Sequence, residues 1–221
     1  MKPTLANAVS LINEQGALLV FPIKGKDSVP SLWKCLYPRS VMKWDWSEEG
    51  DDRVANLWHL RAALSDSRKV VYTKWYQNRA TFFSFELFTA MLWLATSLSE
   101  RNKELLPEAR DLLEVLEDDS PIATKQLRQL ADLQGKANET AFNRGMRQLW
   151  NRLLVVGYGE IDEGGFPSLA VGSSRLLFED LWDQSLDMSE VEREEVITKT
   201  LSKDSVFLRQ YRKIQIAIGP R

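Results

Sequence analysis

The stretch from Asp119 to about Val171 constrains this chain most, because a helical period gives way to an alternating one inside it. Asp118-Asp119-Ser120-Pro121 is a stop-and-restart signal: the proline ring disfavours helical backbone at Ser120 and removes a donor. Beyond it, Leu127 and Leu130 stand three apart on a short helix begun near Thr124. Leu133-Gln134-Gly135-Lys136-Ala137 interrupts the pattern, with Gly135 free to take a positive φ. Asn138 is the expected N-cap of a second helix that runs to about Leu153. Phe142, Met146, Leu149, Trp150 and Leu153 recur there at helical spacing as one apolar stripe. Thr140, Asn143, Arg144, Arg147 and Gln148 occupy the other side.

Leu154 to Ile161 is rich in β-formers, Asp162-Glu163-Gly164-Gly165 is a turn cluster, and Phe166 to Val171 supplies a return strand. A helix-turn-helix with a hairpin directly behind it is the winged-helix pattern. It is more specific than a helix-turn-helix alone.

Charge is distributed unevenly. The formal net charge is −2, which argues against a generic nucleic-acid binder. Between Ala123 and Arg152, however, Lys125, Arg128, Lys136, Arg144, Arg147 and Arg152 face only Asp132 and Glu139. The flanks, Glu100 to Asp119 and Glu179 to Glu195, are dense in carboxylates. Such asymmetry can aim one face at phosphate while the remaining surface repels it. An ordinary solvated face with i,i+4 pairs would look the same by charge alone.

The rest of the chain is read in order. A helix covers about Leu5 to Glu14 and ends at a Gly16 C-cap, followed by an extended Ala17 to Phe21. A short helix lies between Pro30 and Pro38, and a longer one runs from about Asp52 to Leu64. Its stripe is Val54, Leu57, Trp58, Leu60 and Leu64, with His59 beside it as a structural histidine. Lys69 to Trp75 and Ala80 to Phe83 form a second hairpin across Gln77-Asn78-Arg79. Helices follow over Phe85–Leu98, Pro107–Glu117 and Leu176–Trp182, with an acidic one at Ser189–Leu201 and a basic one at Ser205–Lys213. The predicted fold is α+β, mostly helical, with tandem winged-helix units. They are placed at residues 1–98 and 105–185, with a helical extension at 186–221.

With 44% apolar and 27% charged residues the composition is that of a globular protein, and the eight tryptophans are expected mainly in its core. The amino terminus lacks the apolar run of a secretion signal, and Phe82 to Ala95 is too short and too polar to span a bilayer. A cytoplasmic location is expected, with no membrane partner. One cysteine, Cys35, and one histidine exclude an internal disulfide and a metal site built on cysteine or histidine. No cofactor is expected. No phosphate loop or hydrolase triad is present, and Glu48-Glu49 and Asp51-Asp52 read as loop or helix-start charge.

Gly16-Ala17-Leu18-Leu19-Val20-Phe21-Pro22 with Leu32-Trp33, and Val71-Tyr72-Thr73-Lys74-Trp75 with Ala80-Thr81, resemble segments of a known family. That family is the bacterial winged-helix DNA glycosylases that remove alkylated bases and unhook crosslinks. The chain most resembles a shorter, AlkZ-related branch. The resemblance implies DNA repair as the setting, and it departs from the family where the chemistry lies. The glycosylases carry a glutamine, then glutamine or aspartate two residues on, where this chain has Leu19 and Phe21. Neither can position water or stabilise a developing positive charge. No catalytic residue is carried over.

Three readings follow. The first is a non-catalytic binder of nucleic acid, with DNA the expected partner, using Lys125, Arg128, Lys136, Thr140, Asn143, Arg144 and Arg147. The second is a winged-helix protein–protein adaptor. The third is a glycosylase whose chemistry has moved to Asp45, Asp51 or Asp52.

Overall fold

The computed structural model describes residues 3–26, 28–42, 52–97, 105–161 and 168–218. Helix α1 (Leu5–Gln15) starts where the Thr4 hydroxyl accepts the Asn7 N–H and ends at Gly16, whose φ is 72°. That is the predicted C-cap. Strand β1 (Ala17–Leu19) is shorter than the predicted extended segment, although Val20 still bonds the Ala80 carbonyl. Helix α2 (Leu32–Leu36) begins after Ser31, whose side chain caps it. Helix α3 (Asp52–Asp66) leads to strands β2 (Val71–Tyr76) and β3 (Arg79–Phe83). Gln77 and Asn78, at φ 51° and 56°, make the two-residue turn whose handedness matches strand twist.

Ser84 caps α4 (Phe85–Met91), and α5 (Trp93–Thr96) follows across Leu92. The single helix expected over Phe85–Leu98 is thus two short ones among the described residues. The second half repeats the order of the first. Helix α6 (Pro107–Asp118) is followed by β4 (Ile122–Ala123), α7 (Thr124–Leu130), α8 (Glu139–Asn151), β5 (Val155–Ile161) and β6 (Ser168–Ser173). The chain continues into α9 (Ser174–Leu177), α10 (Glu179–Asp187), α11 (Glu190–Thr200) and α12 (Val206–Ile218). The predicted hairpin is present, with its turn cluster at 162–167 outside the described residues.

The described strands form one sheet in the order β1-β3-β2-β5-β6-β4, antiparallel at every pairing. The order reads the same from either edge. Each half contributes helix, short strand, two helices and hairpin, and in each the short strand pairs with the hairpin's second strand. Both hairpins also carry one extra residue on their first strand, between Thr73 and Tyr76 and between Gly157 and Glu160. No sequence repeat accompanies this, so the duplication lies in the pairing.

The halves join where β2 meets β5, with Tyr72 opposite Gly157. The Tyr72 ring lies over the glycine, and a Cβ there would fall 2.2 Å from Tyr72 Cδ1. Around this point α3 is tied to β5: Arg61 pairs with Glu160, and the Gly159 N–H donates to Ser65 Oγ at 2.8 Å. Two apolar clusters flank the joint. One gathers α1, α2 and α3 against Leu18, Tyr72 and Phe82, and the other gathers the remaining helices against Trp75, Val156 and Val171.

Two details depart from expectation. Trp58 is 43% exposed instead of lying in the α3 stripe, and the Arg61 guanidinium sits 4.3 Å over its ring. The stripe turns toward Leu60, Arg61 and Leu64 because Arg61 must reach Glu160. His59, read as a structural histidine, is exposed. Trp33, Trp75, Trp93 and Trp150 are buried as expected.

Two substitutions test these packing claims. Gly157→Ala is expected to lower stability by about 1–3 kcal/mol in urea denaturation, because the buried Tyr72 ring cannot move away. A neutral effect would mean that the joint is loosely packed. Trp150→Ala should cost about 3–5 kcal/mol, and a loss under about 1 kcal/mol would show that α8 does not bury its stripe.

Candidate nucleic-acid interface

Helices α7 and α8 are fixed from beneath. The Thr124 hydroxyl donates to the Leu169 carbonyl at 2.9 Å, pinning the start of α7 to β6. Ser120 Oγ accepts the Ser173 N–H at 2.9 Å and donates to the Leu116 carbonyl, holding the chain between α6 and β4. The stripe of α8 is buried at Phe142, Met146, Leu149 and Trp150, as predicted. Gly145 lies against α6 so closely that a Cβ would stand 2.9 Å from Leu112 Cδ1 and 3.2 Å from the Ala109 backbone nitrogen. Gln148 Oε1 accepts the Leu106 N–H at 2.8 Å, a second tie between α8 and the start of α6. Apart from the Ser120–Leu116 bond, these ties join residues far apart in the chain, so no local spacing announces them.

The turn between the helices corrects one expectation. Gly135 has the predicted positive φ, 78°. Asn138, however, does not cap α8. It closes a single 3-10 turn, and its amide donates back to the Gln134 carbonyl at 3.0 Å and the Asp132 carbonyl at 3.4 Å. An asparagine side chain can stabilise a turn as readily as a helix start, and here the turn wins.

Thr140, Asn143, Arg144 and Arg147 are exposed at the i, i+3, i+4, i+7 spacing of one helix face. Lys125 on α7 and Lys136 in the turn are exposed as well. Arg128 is half-buried, its guanidinium 4.0 Å from the centre of the Phe142 ring. Arg144 donates through Nε to Glu108 on α6, and its side chain remains 61% exposed. The pair holds the Glu108 carboxyl below the usual carboxylate range, chiefly through that hydrogen bond. A guanidinium bound through Nε–H keeps its two terminal NH2 groups for another acceptor.

The region where the resemblance would place glycosylase chemistry is apolar core. Leu19 and Trp75 are fully buried in one cluster, with Phe83 and Phe207 ring centres 5.6 and 6.4 Å from Trp75. Phe21 is half-buried. Of the alternative carboxylates, Asp52 is exposed at the start of α3, and Asp45 and Asp51 lie outside the described residues. Among the described residues, no group of three or more His, Cys, Asp or Glu is arranged to hold a metal ion, and no helix is long and apolar enough to cross a membrane.

Residues 3–211 match the family model described as AlkZ related, and the chain belongs to that family. No curated protein and no solved structure matches the chain. The match spans both halves of the sheet and extends into α12.

The Glu108–Arg144 pair carries a pH signature. A carboxyl with a depressed folded-state pKa stabilises the fold above its unfolded pKa of about 4.3, and that contribution fades as pH falls through the folded value. Wild type should therefore exceed Glu108→Gln in urea midpoint at neutral pH, with the gap closing as pH falls from about 6 to 3. A gap independent of pH would show that the pair contributes nothing.

Proposed function

We propose that residues 105–185 form a winged helix that binds duplex DNA through α8. Residues 1–98 form a second unit of the same plan, and 186–221 a helical extension. The observation that carries this is the α8 face. Four polar or cationic side chains project from a helix whose other side is locked into the core, and Glu139 is the one carboxylate on the helix. In this arrangement α8 enters the major groove and the β5–β6 hairpin lies beside the backbone. Arg144 and Arg147 are assigned to bases or phosphates, Thr140 and Asn143 to base edges or phosphates, and Lys125, Arg128 and Lys136 to phosphates. Arg128 is half-buried with its guanidinium stacked over the Phe142 ring, so its contribution is the smallest.

Membership of the AlkZ-related family supports a DNA-repair setting and a glycosylase-like ancestry. With Leu19 sealed in the core, the chain is read as non-catalytic: purified protein should release no methylated or crosslinked base from duplex DNA. Base release that is lost in Asp45→Asn would reverse this conclusion.

Binding is tested by titrating duplex DNA at two salt concentrations. With three or four phosphates neutralised, log K should fall with log salt at a slope of about −3 to −4. Replacing Arg144 and Arg147 together by Glu should abolish binding while circular dichroism stays that of wild type. A specific observation also favours a second reading. Leu186 and Val191, on acidic α10 and α11, are 60% and 67% exposed, as a protein-docking surface would require. Absence of DNA binding at low salt puts that adaptor reading first.

A further inference from the structure

Helix α12 lies alongside the C-terminal half of α8, and a groove of about 640 Å³ separates them. Gln148 and Asn151 line it from α8, the buried Arg152 from just past the helix end, and Gln210 and Lys213 from α12, over an aliphatic floor of Ile214 and Ala217. All five polar lining residues carry N–H donors, and no carboxylate is among the lining residues. A second depression of about 500 Å³, on the other flank of α12, is bordered by Lys203, Arg209 and the same Lys213, again without a carboxylate. Arg212 lines it too, but that guanidinium is committed to Glu194 on α11. The exposed cationic groups along this flank are Lys203, just before α12, and Arg209 and Lys213 on it, with Arg209 Nη1 also donating to the Asp204 carbonyl at 2.8 Å.

We propose that the α8–α12 groove and the cationic edge of α12 form a second phosphate-binding strip, which takes the phosphodiester backbone of the nucleic acid held by α8. The inference rests on the nucleic-acid reading above and extends it to an element that the winged-helix plan does not include. Continuity argues for it. Gln148 and Asn151, both half-buried, lie four and seven residues beyond Arg144, so the groove opens one turn beyond Arg144 and reaches Asn151 about 10 Å along the axis. A backbone leaving the exposed face of α8 in that direction meets amide and cationic donors, the side chains that bond phosphate oxygens without reading sequence. The aliphatic floor suits the apolar faces of the sugars. Lys213, on the lip shared by both depressions, contacts phosphate from either side.

The test is the double variant Arg209→Ala/Lys213→Ala, titrated by fluorescence anisotropy against a duplex at several salt concentrations beside wild type. Both residues are exposed, and the Arg209 bond to the Asp204 carbonyl is itself exposed, so circular dichroism should be unchanged and the thermal midpoint nearly so. Two lost phosphate contacts should weaken binding about tenfold at moderate salt and make the slope of log K against log salt shallower by about 2. Wild-type affinity and an unchanged slope in the variant, with wild type binding the duplex, would overturn the strip and leave the α8 face standing. Wild type that binds no duplex overturns the nucleic-acid reading and the strip with it.

Discussion

The structure depends on the pairing of β2 with β5. Each half alone offers three strands with an open edge, and an exposed edge of unpaired N–H and C=O groups invites association. Setting the two edges together removes both and makes one six-stranded sheet. The contact is close because Gly157 has no side chain, and the Tyr72 ring fills the space above it. Burial of that ring raises the Tyr72 pKa, so the phenol stays neutral at the joint. Arg61 completes the seal by reaching from α3 to Glu160, with Trp58 stacked on its outer face. Lys74, the next side chain on the Tyr72 face of β2, is desolvated beside Arg61, and its pKa falls. The joint thus gathers charge as well as apolar surface.

The same joint determines what the outer surface can do. Because α8 is clamped between α6 and the sheet, its polar face has one orientation relative to the β5–β6 hairpin. Rigid placement of a helix and hairpin is what groove recognition requires. In the proposed DNA-binding mode, Glu108 would contribute by holding Arg144 at Nε, limiting the rotamer freedom to be lost while keeping its terminal groups available. The acidic helices α10 and α11 carry the opposite sign elsewhere on the molecule. A nearly neutral chain therefore carries segments of opposite sign, an unevenness already present in the sequence.

Much of this was legible in the chain itself. Gly16, Pro121, Gly135 and the Gln77-Asn78 turn are local signals, and each acts where its own backbone preference directs. The stripe of α8 was readable because helical spacing is set by geometry alone. Other features were out of reach for a common reason. The Tyr72–Gly157, Arg61–Glu160 and Arg144–Glu108 contacts join residues that only tertiary structure brings together. Asn138 fits a cap and a turn equally well, and Trp58 fits a stripe until the burial of Arg61 rotates it outward. The likeness between the halves was visible as an order of elements. Its basis, the matched pairing and the matched bulges, has no counterpart in residue identity.

The central claim is that one face, built on α7 and α8, meets a nucleic-acid backbone. The most direct measurement is an amide NMR titration of the isotopically labelled protein with a short duplex. Chemical-shift changes should concentrate in residues 124–151 and spread to 206–218, leaving α10, α11 and the sheet core unmoved. Changes centred on residues 179–200, or on β1 and β2, would contradict the account.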